Sequence, residues 1–171
     1  MDFKTYVREV QDFPKPGMLF CDLSPLFADA QAFGRAINAM AEPILTLQPT
    51  HVMGLESRGF IFGSALAQKL GLGFVPARKP GKLPGPTYRE EYTTTLGELD
   101  ALEIHQDAFK ASDRVLIVDD VLATGGTATA ARLLIEHTGA QAVALTLFIE
   151  LGHLPGREKL AELPVFSLLR R

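Results

Sequence analysis

The sequence has one cysteine, Cys21, no long apolar run and almost no excess of charge. A single cysteine excludes an internal disulfide framework and suits a reducing compartment. A membrane-spanning helix needs about 20 consecutive apolar residues, and the N-terminus lacks the apolar core of a signal peptide. We therefore expect a cytoplasmic protein with no membrane partner.

The charges are nearly balanced, with 17 basic and 20 acidic residues and a net charge of −3. Such a balance gives no overall attraction to nucleic acid, so we expect no nucleic-acid partner and only local affinity for phosphate. The four histidines are scattered without metal-ligand spacing, so no metal site made by the protein itself is expected. The length of 171 residues and 47% hydrophobic content predict one α/β domain spanning 1–171.

Short apolar segments alternate with helical patterns along most of the chain. This alternation predicts a parallel sheet flanked by helices, with ligands bound beyond the carboxyl ends of the strands. We also expect Asp29 to cap a helix that Pro43 kinks or shortens, and an ordered loop over residues 12–27. The predicted strands are 51–55, 73–77, 115–118, 142–149 and 165–169, and further helices are predicted at 2–12, 60–70 and 127–137.

Residues 79–109 interrupt this alternation with a long segment rich in proline and glycine. Within it, Tyr88–Thr95 and Leu99–His105 contain enough β-forming residues to predict a hairpin. A long excursion from a compact domain is usually a lid or a binding loop. We therefore expect this segment to close over a site.

The segment VLIVDDVLATGGT, residues 115–127, carries the most specific chemistry in the sequence. An apolar strand at Val115–Val118 is followed by Asp119 and Asp120, which we expect where the strand ends, and then by a small-residue loop that opens a helix. Glycines let consecutive backbone N–H groups turn inward, and the helix N-terminus adds partial positive charge. The segment thus predicts a site for a phosphate monoester, formed by Ala123, Thr124, Gly125, Gly126 and Thr127.

The two adjacent carboxylates indicate what the phosphate is attached to. Asp119 and Asp120 are poor partners for more phosphate, but they suit the hydroxyl groups of a ribose and can stabilise positive charge at its anomeric carbon. The loop has no Walker A lysine and no GxGxxG pattern. ATP hydrolysis and dinucleotide binding are therefore disfavoured.

At this point the chain resembles a known family. Residues 115–127 are similar to the phosphoribosyl diphosphate (PRPP) signature of type I phosphoribosyltransferases, and further segments narrow the resemblance to the adenine phosphoribosyltransferase family. The resemblance implies the type I fold, purine salvage from adenine and PRPP to AMP and diphosphate, Mg²⁺ carried by the diphosphate of PRPP, and a homodimer. The further segments are DFPKPGMLFCDLSPLF (12–27), GLESRGFIFGSALAQKLG (54–71), RKPGKLPGP (78–86), LEIHQDAF (102–109) and GREKLAELPVFSLL (156–169).

The resemblance also implies roles for individual residues. Residues 1–30 would form a hood over the base and residues 79–109 a flexible lid. Backbone donors at Glu56–Gly59 could bind diphosphate, and a strained peptide bond occurs there in similar proteins. The residues implied to attend the diphosphate are Arg58, Arg78, Lys79 and Lys82, and those implied to hold adenine are Leu19, Phe20, Cys21 and Leu151.

One catalytic position departs from the family pattern. Similar enzymes are assigned a lid glutamate in a Leu-Glu-Tyr-Gly stretch, and the corresponding stretch here is expected at Thr94-Thr95-Leu96-Gly97, where neither the glutamate nor the tyrosine occurs. Glu91 or Glu98 on the same loop could take over, with Glu98 preferred, or orientation and electrostatics could suffice.

Two alternative functions stay open from the sequence. One is a phosphoribosyltransferase for another base, such as hypoxanthine, guanine, xanthine or uracil, because base selection by backbone groups is not visible in side chains. The other is a catalytically weak PRPP-sensing module, which belongs to a different functional class.

Overall fold

A computed structural model of the protein describes residues 2–171. The strands are β1 (Arg8–Gln11), β2 (Leu19–Asp22), β3 (His51–Leu55), β4 (Gly73–Ala77), β5 (Thr87–Thr93), β6 (Leu99–His105), β7 (Arg114–Leu122), β8 (Gln141–Glu150) and β9 (Val165–Arg170). The α-helices are α1 (Ser24–Ala28), α2 (Ala30–Ala41), α3 (Gly59–Leu70), α4 (Gly126–His137) and α5 (Gly156–Lys159). Two 3₁₀ turns complete the order, at Phe3–Tyr6 and Glu42–Leu47.

Five of these strands form a parallel sheet in the order β4-β3-β7-β8-β9, which confirms the predicted α/β architecture. Strand β7 lies at its centre, and its apolar residues Val115–Val118 are fully buried. Leu116 and Val118 pack into one hydrophobic cluster with α2 and α3, whereas Val115 and Ile117 pack into a second cluster with α4. Helices therefore cover both faces of the sheet, which explains the continuously apolar strand.

The predicted helix ends are largely confirmed. The Asp29 carboxylate accepts hydrogen bonds of 2.9 Å from the backbone N–H groups of Gln31 and Ala32 and so caps α2. Helix α2 ends at Ala41, and Pro43 lies in the 3₁₀ turn that follows. Helix α3 ends at Leu70 and is followed by Gly71, whose φ of +69° is the left-handed conformation that glycine tolerates.

The prediction was wrong about the N-terminal segment. The expected helix over 2–12 is a 3₁₀ turn followed by β1, and β1 pairs antiparallel with β2 from Arg8↔Asp22 to Gln11↔Leu19. Residues 12–27, expected to be a loop, contain β2 and α1. An isolated helix of this length is marginal, and pairing with β2 gives the backbone of β1 hydrogen-bond partners that local spacing does not reveal.

The position of the acid pair also needs correction. We expected Asp119 and Asp120 after the end of the central strand, but β7 continues to Leu122. It does so because β8 extends beside it and pairs with it as far as Leu122↔Glu150. The two carboxylates therefore lie within the strand, and the glycine loop starts at Ala123.

The hairpin predicted within residues 79–109 is confirmed as β5 and β6, paired from Thr87↔His105 to Thr93↔Leu99. It lies against α4, where Tyr88 stacks at a tilt on His137 and the Glu90 carboxylate contacts the His137 ring. A bridge between Arg78 and Glu103 joins it to the end of β4. The hairpin thus packs along α4, from His137 at the end of the helix to Gly126 at its start, where the Thr93 carbonyl oxygen lies close to Gly126. Within residues 2–171, no helix has the length and apolar character needed to cross a membrane.

Candidate active site

The glycine loop lies between the end of β7 and the start of α4. Gly125 adopts a φ of +80° immediately before the helix, and no side chain caps the first turn of α4, whose N–H groups have no partner within the helix. A Cβ on Gly126 would come within 2.7 Å of the Thr93 carbonyl oxygen, so this glycine allows the hairpin to approach the helix. The arrangement is a cradle of N–H donors of the kind that binds phosphate.

A cavity opens between this loop and the hairpin. It contains the phosphate-loop residues predicted from the sequence, together with Asp119 and Lys79. Its further lining comes from the hairpin and includes Tyr92, Thr94, Thr95 and Asp100. The tertiary structure thus brings one predicted acid, one predicted cation and the phosphate loop to a single cavity.

The two acids of β7 have different surroundings. Withdrawal from water, together with the adjacent Asp120 carboxylate, raises the pKa of Asp119 well above its usual range. The Asp119 carboxylate also accepts a hydrogen bond of 2.9 Å from the Asp120 backbone N–H. Asp120 is buried, and its Oδ2 lies 2.6 Å from Nε of Arg58. Successive residues of a strand point to opposite sides, which explains why only Asp119 reaches the cavity.

Arg58 connects the sheet to the N-terminal hairpin. Besides its ion pair with Asp120, its Nη1 donates a 2.8 Å hydrogen bond to the Cys21 carbonyl oxygen. Its guanidinium carbon lies 4.6 Å from the centre of the Phe20 ring, within range of a cation–π contact. The predicted base-binding strand and the predicted diphosphate cation are therefore in direct contact.

The end of β3 is linked to the end of β4 through Glu56. Its carboxylate accepts a 2.7 Å hydrogen bond from the Lys79 backbone N–H and contacts Nε of Arg78 at 3.3 Å. Burial acts to raise the pKa of Glu56, but these hydrogen bonds outweigh it and lower the pKa. The peptide bond between Glu56 and Ser57 is cis. Of the cations predicted to attend the diphosphate, Arg78 lies beside Glu56 at the carboxyl ends of β3 and β4, whereas Lys82 is exposed.

Lys79 points into the cavity, where its ammonium group contacts the Asp100 carboxylate and the Tyr92 hydroxyl. The Tyr92 hydroxyl also donates to Asp100 at 3.2 Å. Burial acts to lower the pKa of Lys79, but its hydrogen bonds to Asp100 and Tyr92 raise it. Sequence reasoning did not select Tyr92 or Asp100. The two-residue spacing of Tyr88, Glu90 and Tyr92 would have placed these three side chains on one face of the hairpin, and this is the signal that could have selected Tyr92.

The segment expected to bind the base lies on β2. Leu19 is half exposed, Phe20 is half-buried, and Cys21 is buried in the same apolar cluster that Leu151 packs against. The Phe13 ring meets the Phe20 ring edge to face, with 5.0 Å between their centres. Burial raises the pKa of the Cys21 thiol, which disfavours a nucleophilic role.

Glu98 lies outside the cavity, at the tip of the hairpin. It is exposed, and its carboxylate pairs with the Lys15 ammonium group at 2.8 Å. Glu91 is also exposed and lies 3.3 Å from Arg89. Of the four residues expected to replace the lid motif, Thr94 and Thr95 line the cavity, whereas Leu96 is exposed at the tip.

Glu150, at the end of β8, is a buried charge that the sequence did not single out. Arg157 binds it in a bidentate manner, with Nε to Oε1 at 2.8 Å and Nη2 to Oε2 at 2.6 Å. The Ser167 hydroxyl donates to Oε2 at 2.8 Å. The hydrogen bond from Arg157 outweighs burial and lowers the pKa of Glu150 to about 2. The cluster fixes the end of β8 directly before Leu151.

Comparison with known proteins gives full-length matches. The phosphoribosyl transferase domain family matches residues 27–165. An adenine phosphoribosyltransferase from a Synechococcus species is 51% identical, covering 99% of this chain and 98% of the relative. The crystal structure of the Thermoanaerobacter pseudethanolicus adenine phosphoribosyltransferase has a TM-score of 0.96 at 44% identity, covering 99% of this chain and 98% of that one. The Saccharomyces cerevisiae enzyme, crystallised with D-2,5-dideoxy-2,5-imino-altritol 1,6-bisphosphate and adenine, has a TM-score of 0.90 at 41% identity, covering 98% of this chain and 96% of that one.

The Glu150 cluster predicts a dependence of stability on pH. The pKa of Glu150 is depressed from 4.5 to about 2 in the folded protein, so its contribution is complete above about pH 4.5 and is lost as the pH falls towards 2. We expect Glu150→Gln to be destabilised relative to the parent at pH 7, and this difference to shrink at pH 3. Denaturant unfolding at both pH values measures it, with the exposed Glu162→Gln as control. An equal difference at pH 7 and pH 3 would contradict the assignment.

Proposed function

The chain belongs to the adenine phosphoribosyltransferase family, and we propose that its phosphate-loop cavity carries out that family's reaction. The enzyme transfers the phosphoribosyl group of PRPP to adenine, giving AMP and diphosphate, and so serves purine salvage. This proposal rests on one observation: the glycine loop at 123–127, Asp119 and Lys79 line the same cavity under the hairpin. This cavity offers donors for a phosphate, a carboxylate for a ribose and a cation for a diphosphate.

The 5′-phosphate of PRPP would bind to Thr124, Gly125, Gly126 and Thr127, with Ala123 leading into the loop. The left-handed Gly125 and the open first turn of α4 support this assignment. Asp119 would face the ribose from the cavity, and Asp120, which lies on the opposite side of β7 against Arg58, would add negative charge from behind the strand; both charges would stabilise the oxocarbenium-like transition state. The developing positive charge would favour the ionised form of Asp119, whose pKa is otherwise raised.

The diphosphate would be attended by Arg58, Arg78, Lys79 and Lys82. Three of these cations already contact a carboxylate: Arg58 contacts Asp120, Arg78 contacts Glu56 and Lys79 contacts Asp100. A diphosphate would compete with these carboxylates for the cations, because charge-assisted hydrogen bonds to phosphate are of similar strength. These ion pairs hold the cations in position before the diphosphate binds, although the whole chain has a net charge of −3.

Mg²⁺ fits this site as an ion that enters with PRPP. Within residues 2–171, no group of three or more His, Cys, Asp or Glu side chains is arranged to hold a metal ion. Mg²⁺ commonly binds through substrate phosphates with one or two protein carboxylates, and Asp119 and Asp120 are the carboxylates next to the ribose position. When bound, Mg²⁺ neutralises charge on the leaving diphosphate.

Adenine would lie between Phe20 and Leu151, and backbone groups of Leu19 and Cys21 would recognise its polar edge. Stacking of a flat base on an aromatic ring supports this placement, as does the contact of Phe20 with Arg58 beside the diphosphate position. Residues 1–30 would act as the base hood and 79–109 as the lid. We propose a cytoplasmic homodimer as the working form.

The lid glutamate is better assigned to Glu91 than to Glu98. The family stretch contains a Glu-Tyr pair, and the sequence contains this pair at Glu91–Tyr92, on a strand rather than in the turn at 94–97. Tyr92 lines the cavity, which supports this register. Glu91 is exposed beside Arg89, so its action on adenine requires the hairpin to move, as lids commonly do. Glu98 remains the alternative.

Activity with different bases tests the proposed function. We expect purified protein with PRPP and Mg²⁺ to form AMP from adenine, and little or no nucleotide from hypoxanthine, guanine, xanthine or uracil. Product formation is measured by chromatography, and a chelator should abolish it if Mg²⁺ accompanies PRPP. Product from another base alone would overturn the base assignment. PRPP binding without any product would support the sensing module instead.

The acid pair can be tested without disturbing the fold. We expect Asp119→Asn combined with Asp120→Asn to reduce kcat by at least about 100-fold, because the transition state loses its electrostatic stabilisation. Circular dichroism should show an unchanged fold. Asp113→Asn, at the opposite end of the same strand region, serves as the matched control and should keep parental activity. Unchanged turnover in the double variant would contradict the ribose assignment.

The two lid glutamates give opposite predictions. If Glu91 manages the proton on adenine, Glu91→Gln should lower kcat by about 10²–10⁴-fold, the usual effect of losing one acid–base group. Glu98→Gln should keep kcat near that of the parent, because it loses only an exposed pair with Lys15. Steady-state kinetics with saturating PRPP and adenine measures both. The reverse pattern would assign the role to Glu98.

A further inference from the structure

The phosphate loop is in direct backbone contact with a segment far along the chain. A Cβ placed on Gly156 would lie 2.3 Å from the Ala123 carbonyl oxygen and 3.0 Å from two side-chain carbons of Leu122. A Cβ on Gly125 would lie 2.8 Å from the Gly156 carbonyl oxygen. The two segments therefore touch through glycines on both sides, and a side chain on either would force the backbones apart.

Gly156 is held in this position by its neighbour Arg157. The Arg157 guanidinium binds the buried Glu150 carboxylate with two hydrogen bonds and donates a third, of 3.0 Å, to the Val165 carbonyl oxygen. Beyond the short helix α5, Leu160 and Leu163 are buried in the same apolar cluster as Leu122. The segment that touches the phosphate loop is thus anchored by one ion pair and by an apolar contact.

The anchor starts from the strand end that carries the phosphate loop. Leu122, the last residue of β7, pairs with Glu150 in the sheet, and its carbonyl oxygen accepts a 2.9 Å hydrogen bond from the Leu151 N–H. A closed circuit of contacts results, from Leu122 to Glu150, Arg157, Gly156 and back to Ala123. The junctions of this circuit are hydrogen bonds between Leu122 and Leu151 and between Glu150 and Arg157, the peptide bond from Arg157 to Gly156, and the close approach of Gly156 to the Ala123 carbonyl oxygen.

We propose that Gly156 and the Glu150–Arg157 ion pair are positioning residues that set the shape of the phosphate loop and hence the place of the 5′-phosphate of PRPP. This inference rests on the proposed function of that loop. None of the three residues needs to touch the substrate. They act by fixing the carbonyl of Ala123, so that the N–H groups that follow keep one direction. A misplacement of about 1 Å away from the reacting atoms can cost about 10²-fold in rate, so such support is chemically significant.

The decisive variant is Gly156→Ala. The added methyl group must displace Ala123 or α5, because the atom nearest to it, at 2.3 Å, is the backbone carbonyl oxygen of Ala123 and not the flexible end of a side chain. We expect the KM for PRPP and the Kd for ribose 5-phosphate to rise by about 10- to 100-fold, with a smaller change in kcat. Steady-state kinetics and calorimetric titration measure these two quantities. A KM and a Kd within about twofold of the parent would overturn the proposal.

A matched control separates positioning from loss of stability. Gly63 in α3 is also crowded, since its Cβ would lie 2.9 Å from the Phe74 ring and 3.2 Å from the Gly54 Cα, but it lies away from the phosphate loop. We expect Gly63→Ala to lower the Tm without changing the KM for PRPP. If both variants raise that KM in proportion to their loss of Tm, Gly156 has only a structural role.

The ion pair is tested separately, and this test also applies if Gly156→Ala does not fold. Arg157→Gln should raise the KM for PRPP at pH 7, and Arg157→Lys should restore only part of the loss, because lysine cannot form the bidentate pair. Unchanged KM in Arg157→Gln would remove the pair from the proposal.

An assay of the unmodified enzyme separates failure of the proposed function from failure of the positioning role. Failure of the parent to form AMP would refute the proposed function, whatever the variants do. AMP formation by the parent together with normal PRPP binding by Gly156→Ala and Arg157→Gln would refute only the positioning role.

Discussion

Burial of one strand on both faces is the constraint on which the rest of this structure depends. Strand β7 can be continuously apolar only because α2 and α3 cover one side of the sheet and α4 covers the other. The carboxyl end of β7 must then leave the hydrophobic core within a few residues. It does so at the glycine loop that follows Leu122, so the proposed site lies where the buried central strand ends. A site built on such an element keeps its geometry better than one carried by a free loop.

Close backbone approach is the second recurring feature of the site. The Thr93 carbonyl of the hairpin lies close to Gly126, and Gly125 lies close to Gly156. A Cβ on Gly59 would lie 2.8 Å from the Val118 carbonyl oxygen. These contacts come from three different elements, the hairpin, α5 and α3, and each lies against the phosphate loop or the acid pair. The loop therefore owes its shape to two neighbours, the hairpin and the segment at Gly156, as well as to its own glycines, while Gly59 packs against the strand at the acid pair.

The charges of the site are arranged in pairs of opposite sign. Arg58, Arg78 and Lys79 each contact a carboxylate, although the whole chain carries a small net negative charge. Pairing keeps half-buried cations charged and oriented. If these cations attend the diphosphate as proposed, the substrate must compete with the carboxylates for them, so substrate binding would be coupled to rearrangement of these contacts. The pairing of Glu150 with Arg157 differs, because its role is structural support.

The sequence by itself determined the elements whose causes are local. The apolar run before Asp119, the small-residue loop and the helix after it follow from residue order, and so do the cap at Asp29, the end of α3 at Leu70 and the two strands of the hairpin. The phosphate-loop motif and its likeness to a family were sufficient to identify the fold and the reaction. Single residues with strong backbone preferences specify such features wherever they occur.

Only the tertiary structure decided what depends on partners distant in the chain. Strand pairing with β2 made a strand of residues expected to be helical, and pairing with β8 extended β7 beyond the acid pair. Folding brought Tyr92 and Asp100 to Lys79, and it brought Gly156 against Ala123 across more than thirty residues. Residue spacing can place Tyr92 on one face of the hairpin, but it does not reveal which distant residue meets that face, because the energy of these contacts comes from shape and charge complementarity between segments that are separate in the sequence.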